Sequence, residues 1–462
     1  MLKADFQTLQ GRISATKQLP LHPFLMTIKK AFFAALALAF PLMSATAQET
    51  GITSPYSRYG LGLLGHNQTG FNSSMAGVGI GTARGNEVNP INPASYGQID
   101  SLSFIFDIGA SLQQSRYTSG KAHVNATTAT LDYATIGWKA ARNLGMSIGV
   151  MPFSSVGYNT AATKTISENY SHADDVSATS SYKGTGGLHK VYLGAGWKPW
   201  RYISVGANVG FLWGNMGHVS SITYSDASVT SSMRNYNSKV RSYSVEAGLQ
   251  AYIPLGKTDR LTLGANYSLG HNVNCDALMV VGSDSTTVED AYQLPHTIGA
   301  GLSWEHKGRL RLAADYELQK WGDCRSPWLS IDAQGHETFA SNKGYLRNSH
   351  RIALGFEYRP MKKGTTWHEY VTYRCGFALT TPYADVVKPG TTALDKGPTS
   401  YLATAGVNLP IMNVFGGRCS VNAALQYERV QPSFAGQIKE NYFRLCIGVN
   451  FNEEWFTKWK VR

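Results

Sequence analysis

The chain has 462 residues and a formal net charge of +12, yet only 16% are Asp, Glu, Lys or Arg, while 47 are Gly and 25 are Tyr. Its basic residues are dispersed rather than gathered into runs, which speaks against a nucleic-acid surface and leaves them as lumen and surface charge. The five cysteines, Cys275, Cys324, Cys375, Cys419 and Cys446, are odd in number and lack metal-ligand spacing, so no metal or cofactor is expected.

The first element is a processing segment. From Met26, "MTIKKAFFAALALAFPLMSATAQ" sets two lysines before an apolar run and Ala45-Thr46-Ala47 before Gln48. That order predicts a secretory signal peptide. No cysteine follows the cleavage site, which argues against a lipid-anchored form. Residues 1–25 lie upstream of a complete signal and point to a start codon placed too early. Without residues 1–47, which hold five Lys/Arg and one Asp, the formal charge becomes +8.

Residues 48–100, which include "GITSPYSRYG" and "NPINPASYGQ", are glycine-rich and lack a lipid-facing period. From residue 101 onward the pattern is period 2. In "RLRLAADYELQKW", Leu310, Leu312, Ala314, Tyr316 and Leu318 oppose Arg309, Arg311, Asp315, Glu317 and Gln319. Alternating side chains give one oily and one charged face. The same reading predicts strands near 101–112, 127–140, 144–158, 187–198, 201–213, 240–253, 260–274, 293–305, 309–321, 348–360, 367–380, 399–408, 418–429 and 440–451, fourteen in all.

Beyond the signal, no apolar run approaches the roughly 20 residues of a spanning helix. The connections sort into short turns ("ARNLG", "KPWR", "HKG") and long polar loops (159–186, 214–239, 322–347). An exported chain with an even strand number and loops sorted by end predicts an all-β, 14-stranded antiparallel transmembrane barrel of a Gram-negative outer membrane. Trp138, Trp197, Trp200, Trp213, Trp304 and Trp321 fall near strand ends, as an interfacial belt requires. A lumen that wide can hold residues 48–100 as a plug, leaving 101–451 as the barrel and 452–462 as a short periplasmic tail.

Two motif matches lack their context. Gly145-Met-Ser147-Ile-Gly149 matches a nucleophile elbow but lies inside a strand, and Gly60-Leu-Gly62-Leu-Leu-Gly65 matches a dinucleotide fingerprint without its strand and helix. With no triad in sight, the chain is not expected to be an enzyme. His172, Asp174 and Asp175 read as a solvated loop. Cys375 and Cys419 read as small hydrophobes on apolar faces; Cys275 and Cys324, near loops of one side, read as free thiols, with a disulfide between them left open.

"AGVGIGTARGNEVNPINPASY" resembles the hatch of the FadL-type outer-membrane transporters of fatty acids and other hydrophobic compounds, with Asn92, Pro93 and Ala94 as its Asn-Pro-Ala. "LPHTIGAGLSW", "LAADYELQKWGD" and "YRCGFALTTPY" are similar to strands of that family. The resemblance implies a hatch in the lumen and a kinked third strand through which an apolar substrate leaves sideways. Pro152, Phe153 and Gly157 lie in the third predicted strand, where the parity falters. A wall opening or a local bulge without one both fit.

The expected function is therefore passive transport of a hydrophobic small molecule, with outer-membrane lipids as surroundings. A non-transporting barrel that binds other outer-membrane proteins, in a secretion or surface-attachment complex, is the alternative. A porin for polar solutes rests on the lumen charges Arg309, Arg311, Asp315, Glu317, Arg351, Glu357 and Arg374, which serve equally as partners for the plug.

Overall fold

The computed structural model divides into Met1–Thr50 and Gly51–Arg462. It describes residues 54–65, 67–165, 176–226, 228–331, 337–360, 367–388, 391, 393–411 and 419–454. The signal segment, residues 48–53, the loop of His172, Asp174 and Asp175, and the tail beyond Glu454 lie outside the described residues.

Fourteen strands form one antiparallel sheet closed on itself. They are β1 (Ser103–Ser119), β2 (Ala122–Ala141), β3 (Leu144–Thr165), β4 (Ser177–Trp200), β5 (Ile203–Tyr224), β6 (Ser232–Leu255) and β7 (Asp259–Ser268). Then come β8 (Thr297–His306), β9 (Leu310–Gln319), β10 (Ser349–Tyr358), β11 (Thr372–Thr380), β12 (Thr399–Ile411), β13 (Cys419–Gln431) and β14 (Lys439–Glu454). Each pairs with the next, and β14 returns to β1 from Ser103↔Glu454 to Thr118↔Lys439. Closure leaves no general edge in lipid. No described helix is long and apolar enough to cross a membrane.

The alternation read from the sequence is the alternation of burial. On β10, Ile352, Leu354, Phe356 and Tyr358 are exposed on the outer face, whereas Ala353 and Glu357 are buried inside. At one end the turns are tight: Lys307 and Gly308, between β8 and β9, both have positive φ (52° and 65°), the twist a short hairpin requires.

At the other end the strands outrun the expectation. β3 to β6 continue well beyond the membrane band, through stretches such as "SATSSYKGTG" that were expected to be loop. Such stretches are polar on both faces, so they carry no period although the backbone ladder continues. A hairpin, Cys275–Val281 with Asp284–Val288, adds to the outer part of β6.

Two placements correct the sequence reading. Arg309 is exposed in the β8–β9 turn rather than on the lumen face, because β9 begins one residue later. Trp321 is no belt residue but buried at 1% exposure. A 3-10 turn, Trp321–Asp323, folds it inward, where its Nε1 donates to Gln319 Oε1 (2.8 Å) and its ring meets Tyr383.

Residues 69–99, with 83–86, Ile91 and Gln98 only partly covered, are buried against inward-facing wall positions, many of them glycine. A Cβ at Gly196 would stand 2.5 Å from Pro93 O, at Gly301 2.6 Å from Gly81 N, and at Gly406 2.6 Å from Ser74 Cβ. Small lumen residues on strands β4, β8 and β12 thus let this inner segment lie directly on the wall.

Candidate functional site

The wall changes at β3. Its pairing with β2 runs from Ala141↔Leu144 to Ala134↔Val150 and stops there. Against β4 it continues to Thr165↔Ser177, with a register shift between Pro152 and Ser154 that leaves Phe153 as the extra residue. Proline has no N–H to give a neighbour, so Pro152 suits the position where a ladder ends. The outer half of β2, Ala122–Tyr133, pairs with β1 alone.

The edge that β3 loses on the β2 side is taken by the inner segment. Leu63 and Leu64 form a short antiparallel strand opposite Ser155 and Ser154. Gly65 N donates to Phe153 O (2.8 Å), Ser54 N to Gly157 O (3.1 Å), and Gly157 N to Ser57 Oγ (3.1 Å). Gly62 has φ +89°, and a Cβ there would lie 2.5 Å from Ser155 O, so this close approach needs glycine. Pro152, Phe153 and Gly157 therefore belong to one site with residues 54–65. Leu63 and Leu64 were not legible, since two residues in a glycine-rich stretch show no period.

An apolar cluster adjoins this edge. Leu61, Val156, Tyr158, Leu188, Leu212 and Met216 are buried in it, with Leu64 and Phe153 packed alongside. Cys275 and Cys324 are buried in the same cluster as free thiols. A cleft of about 510 Å³ shares Leu346 with the cluster and is otherwise lined by polar residues such as Asn348, His350 and Thr381.

Deeper in the lumen the inner segment is bound by polar and charged groups. Asn92 caps a 3-10 helix, Pro93–Gln98, through Oδ1 accepting from Ala94 N (3.1 Å); proline at the first helical position fits without a lost bond. Asn92 Nδ2 donates to Ile80 O (2.8 Å) and to Leu249 O and Ala265 O of the wall, both 3.2 Å. Asp315 Oδ2 accepts from Gly79 N (2.6 Å) and Ile80 N (2.8 Å), and Arg351 donates to Ala76 O.

The strongest anchor is ionic. Arg374 Nη2 lies 2.9 Å from Glu87 Oε1 and its Nε 2.9 Å from Glu357 Oε2, while Arg84 of the inner segment pairs with both carboxylates. Burial alone would raise the Glu87 pKa, but Arg374 and Arg84 outweigh it and hold the carboxyl below its ordinary value. Arg311 pairs instead with Glu305 (2.8 Å), and Glu317 accepts from Gln319 (2.8 Å). Arg84, Glu87 and Glu305 were missed because lone charges in a loop, or at a strand end, give no sign of partners far away in sequence.

Among solved structures the chain is similar to the Ralstonia pickettii toluene transporter TbuX, at 14% identity and TM-score 0.54 over 83% of this chain and 98% of that one. The Pseudomonas putida toluene transporter TodX matches at 12% identity and TM-score 0.53, covering 85% of this chain and 100% of the other. A Pseudomonas aeruginosa FadL homologue matches at 13% identity and TM-score 0.54, covering 85% and 99%. At such identities the likeness is one of fold: a FadL-like β-barrel. No curated protein matches the sequence. The family model that matches is BamG rather than one bearing the FadL name, and it spans residues 27–462. By that near-complete match the chain belongs to the BamG family.

Proposed function

We propose that this barrel passes hydrophobic small molecules across the outer membrane and releases them sideways between β2 and β3. The observation that carries the reading is the end of β2–β3 pairing at Val150, with Leu63–Leu64 laid on the freed edge beside an apolar cluster. A molecule leaving there stays in apolar surroundings, and each methylene kept from water is worth about 0.8 kcal/mol. In this reading residues 54–65 are the movable part of a hatch, and the fold shared with toluene transporters is consistent with it. Proteoliposomes should take up a labelled fatty acid or aromatic hydrocarbon faster than empty vesicles. Equal rates for every apolar probe would count against transport.

A second reading is favoured by the ion pairs that fix the inner segment, since a permanently stoppered barrel suits a binding module in an outer-membrane protein complex. Stoichiometric co-purification of partner proteins, together with failed uptake, would support it. A polar-solute porin fits poorly, because Arg311, Glu357 and Arg374 are engaged in ion pairs. Planar-bilayer recordings should show little ion conductance.

A further inference from the structure

The outer end of the lipid-facing surface carries an arc of ring pairs that barrel closure does not require. His189 sits by Trp213 (5.8 Å between rings), His271 stacks on Tyr243 (4.0 Å), and His296 and His350 accompany Tyr267 and Tyr316. The three tyrosines are 40–49% exposed on the outer face. His296 and His350 meet the tyrosine hydroxyls through Nδ1 at 2.7 and 2.9 Å.

Cations occupy the same rim. His189, Trp213 and Arg241 are register partners in a line across β4, β5 and β6. Lys239 is one outward step above Arg241, and Lys320 follows Tyr316 and Leu318 on the outward parity of β9. Lys239, Arg241 and Lys320 are exposed and join no ion pair among the described residues, although Asp276 stands opposite Lys239 in register. Directly beneath are lipid-facing apolar residues: Phe211 (47% exposed), Val209 (60%) and Leu193 (50%).

An oily column topped by rings, then by Arg241, Lys320 and Lys239, of which only Lys239 has a carboxylate (Asp276) opposite it in register, matches an amphiphile of one build. Acyl chains cover the column, sugar rings lie against Trp213 and Tyr243, and phosphate meets Arg241 and Lys239. This rim carries the long connections, which outer-membrane barrels turn to the cell exterior. We infer that the β4–β10 rim is a docking surface for the phosphorylated glycolipid of the outer leaflet.

The test uses the mature protein in detergent with bisphosphorylated lipid A, its dephosphorylated form and phosphatidylglycerol, read as bound lipid by native mass spectrometry. Lipid A should bind about tenfold tighter than either comparator, and the triple variant Lys239→Gln, Arg241→Gln, Lys320→Gln should lose that margin. Arg241→Lys alone should keep most of it, and heat-modifiable gel migration confirms that each variant is folded. Equal binding of dephosphorylated lipid A, or undiminished binding by the folded triple variant, overturns the assignment. Phosphatidylglycerol binding as tightly as lipid A also overturns it, since the rim would then read phosphate alone.

Discussion

Arg374 on β11 meets Glu87 of the inner segment at 2.9 Å, with the arginine side chain completely buried. One guanidinium also serves Glu357 and Asn422, so a single wall residue ties two strands to the lumen segment. Replacing Arg374 with Met should leave two buried carboxylates with only Arg84 between them. Breaking a buried pair in this way costs about 3–5 kcal/mol. Urea unfolding of the reconstituted barrel should show the loss, and the added change Glu87→Gln should restore part of it.

The wall glycines predict a steric effect of the opposite kind, adding rather than removing atoms. Gly406→Val would drive its side chain into Ser74 Cβ and the backbone of Ala424. The inner segment should detach locally while the outer face of β12 is unchanged. Limited proteolysis should then cut within residues 67–99, which the parent protein protects.

Asn92→Ala removes three donor contacts and the cap of the 3-10 helix; Ile80 O keeps Gln250 Nε2 as a donor, but buried Ala94 N loses its side-chain acceptor. An unsatisfied buried group costs about 1–3 kcal/mol. The heat-modification midpoint should fall, and Asn92→Asp should restore only the share owed to the cap, because a carboxylate accepts from Ala94 N but cannot donate to those carbonyls.

Leu64 and Ser154 are register partners, which places their Cβ atoms within reach of a disulfide. Leu64→Cys with Ser154→Cys should oxidise readily and pin residues 54–65 to β3. Uptake of a labelled apolar probe should drop at least tenfold and recover on reduction; unchanged uptake in the oxidised form would remove residues 54–65 from the route.

Among the native cysteines, Cys375 is exposed on the outer face, while Cys275, Cys324, Cys419 and Cys446 are buried. In liposomes a lipid-soluble maleimide should label Cys375 alone. Labelling at the other four should appear only on unfolding, as mass spectrometry of digested samples can show.

The sequence by itself determined the barrel: the period-2 faces, the strand number, the sorting of turns from long connections, and the place of Pro152. Those signals are local, since alternation and missing donors act on neighbours a few residues apart. It also marked Asn92 and Arg374, but not what they hold. Only the tertiary structure decided that Glu87 belongs to Arg374, that Leu63 and Leu64 complete the edge of β3, and that Arg309 is in a turn while Trp321 is core. These facts depend on pairings between residues far apart in the chain, or on a one-residue offset at a strand end. Neither leaves a periodic trace in the chain.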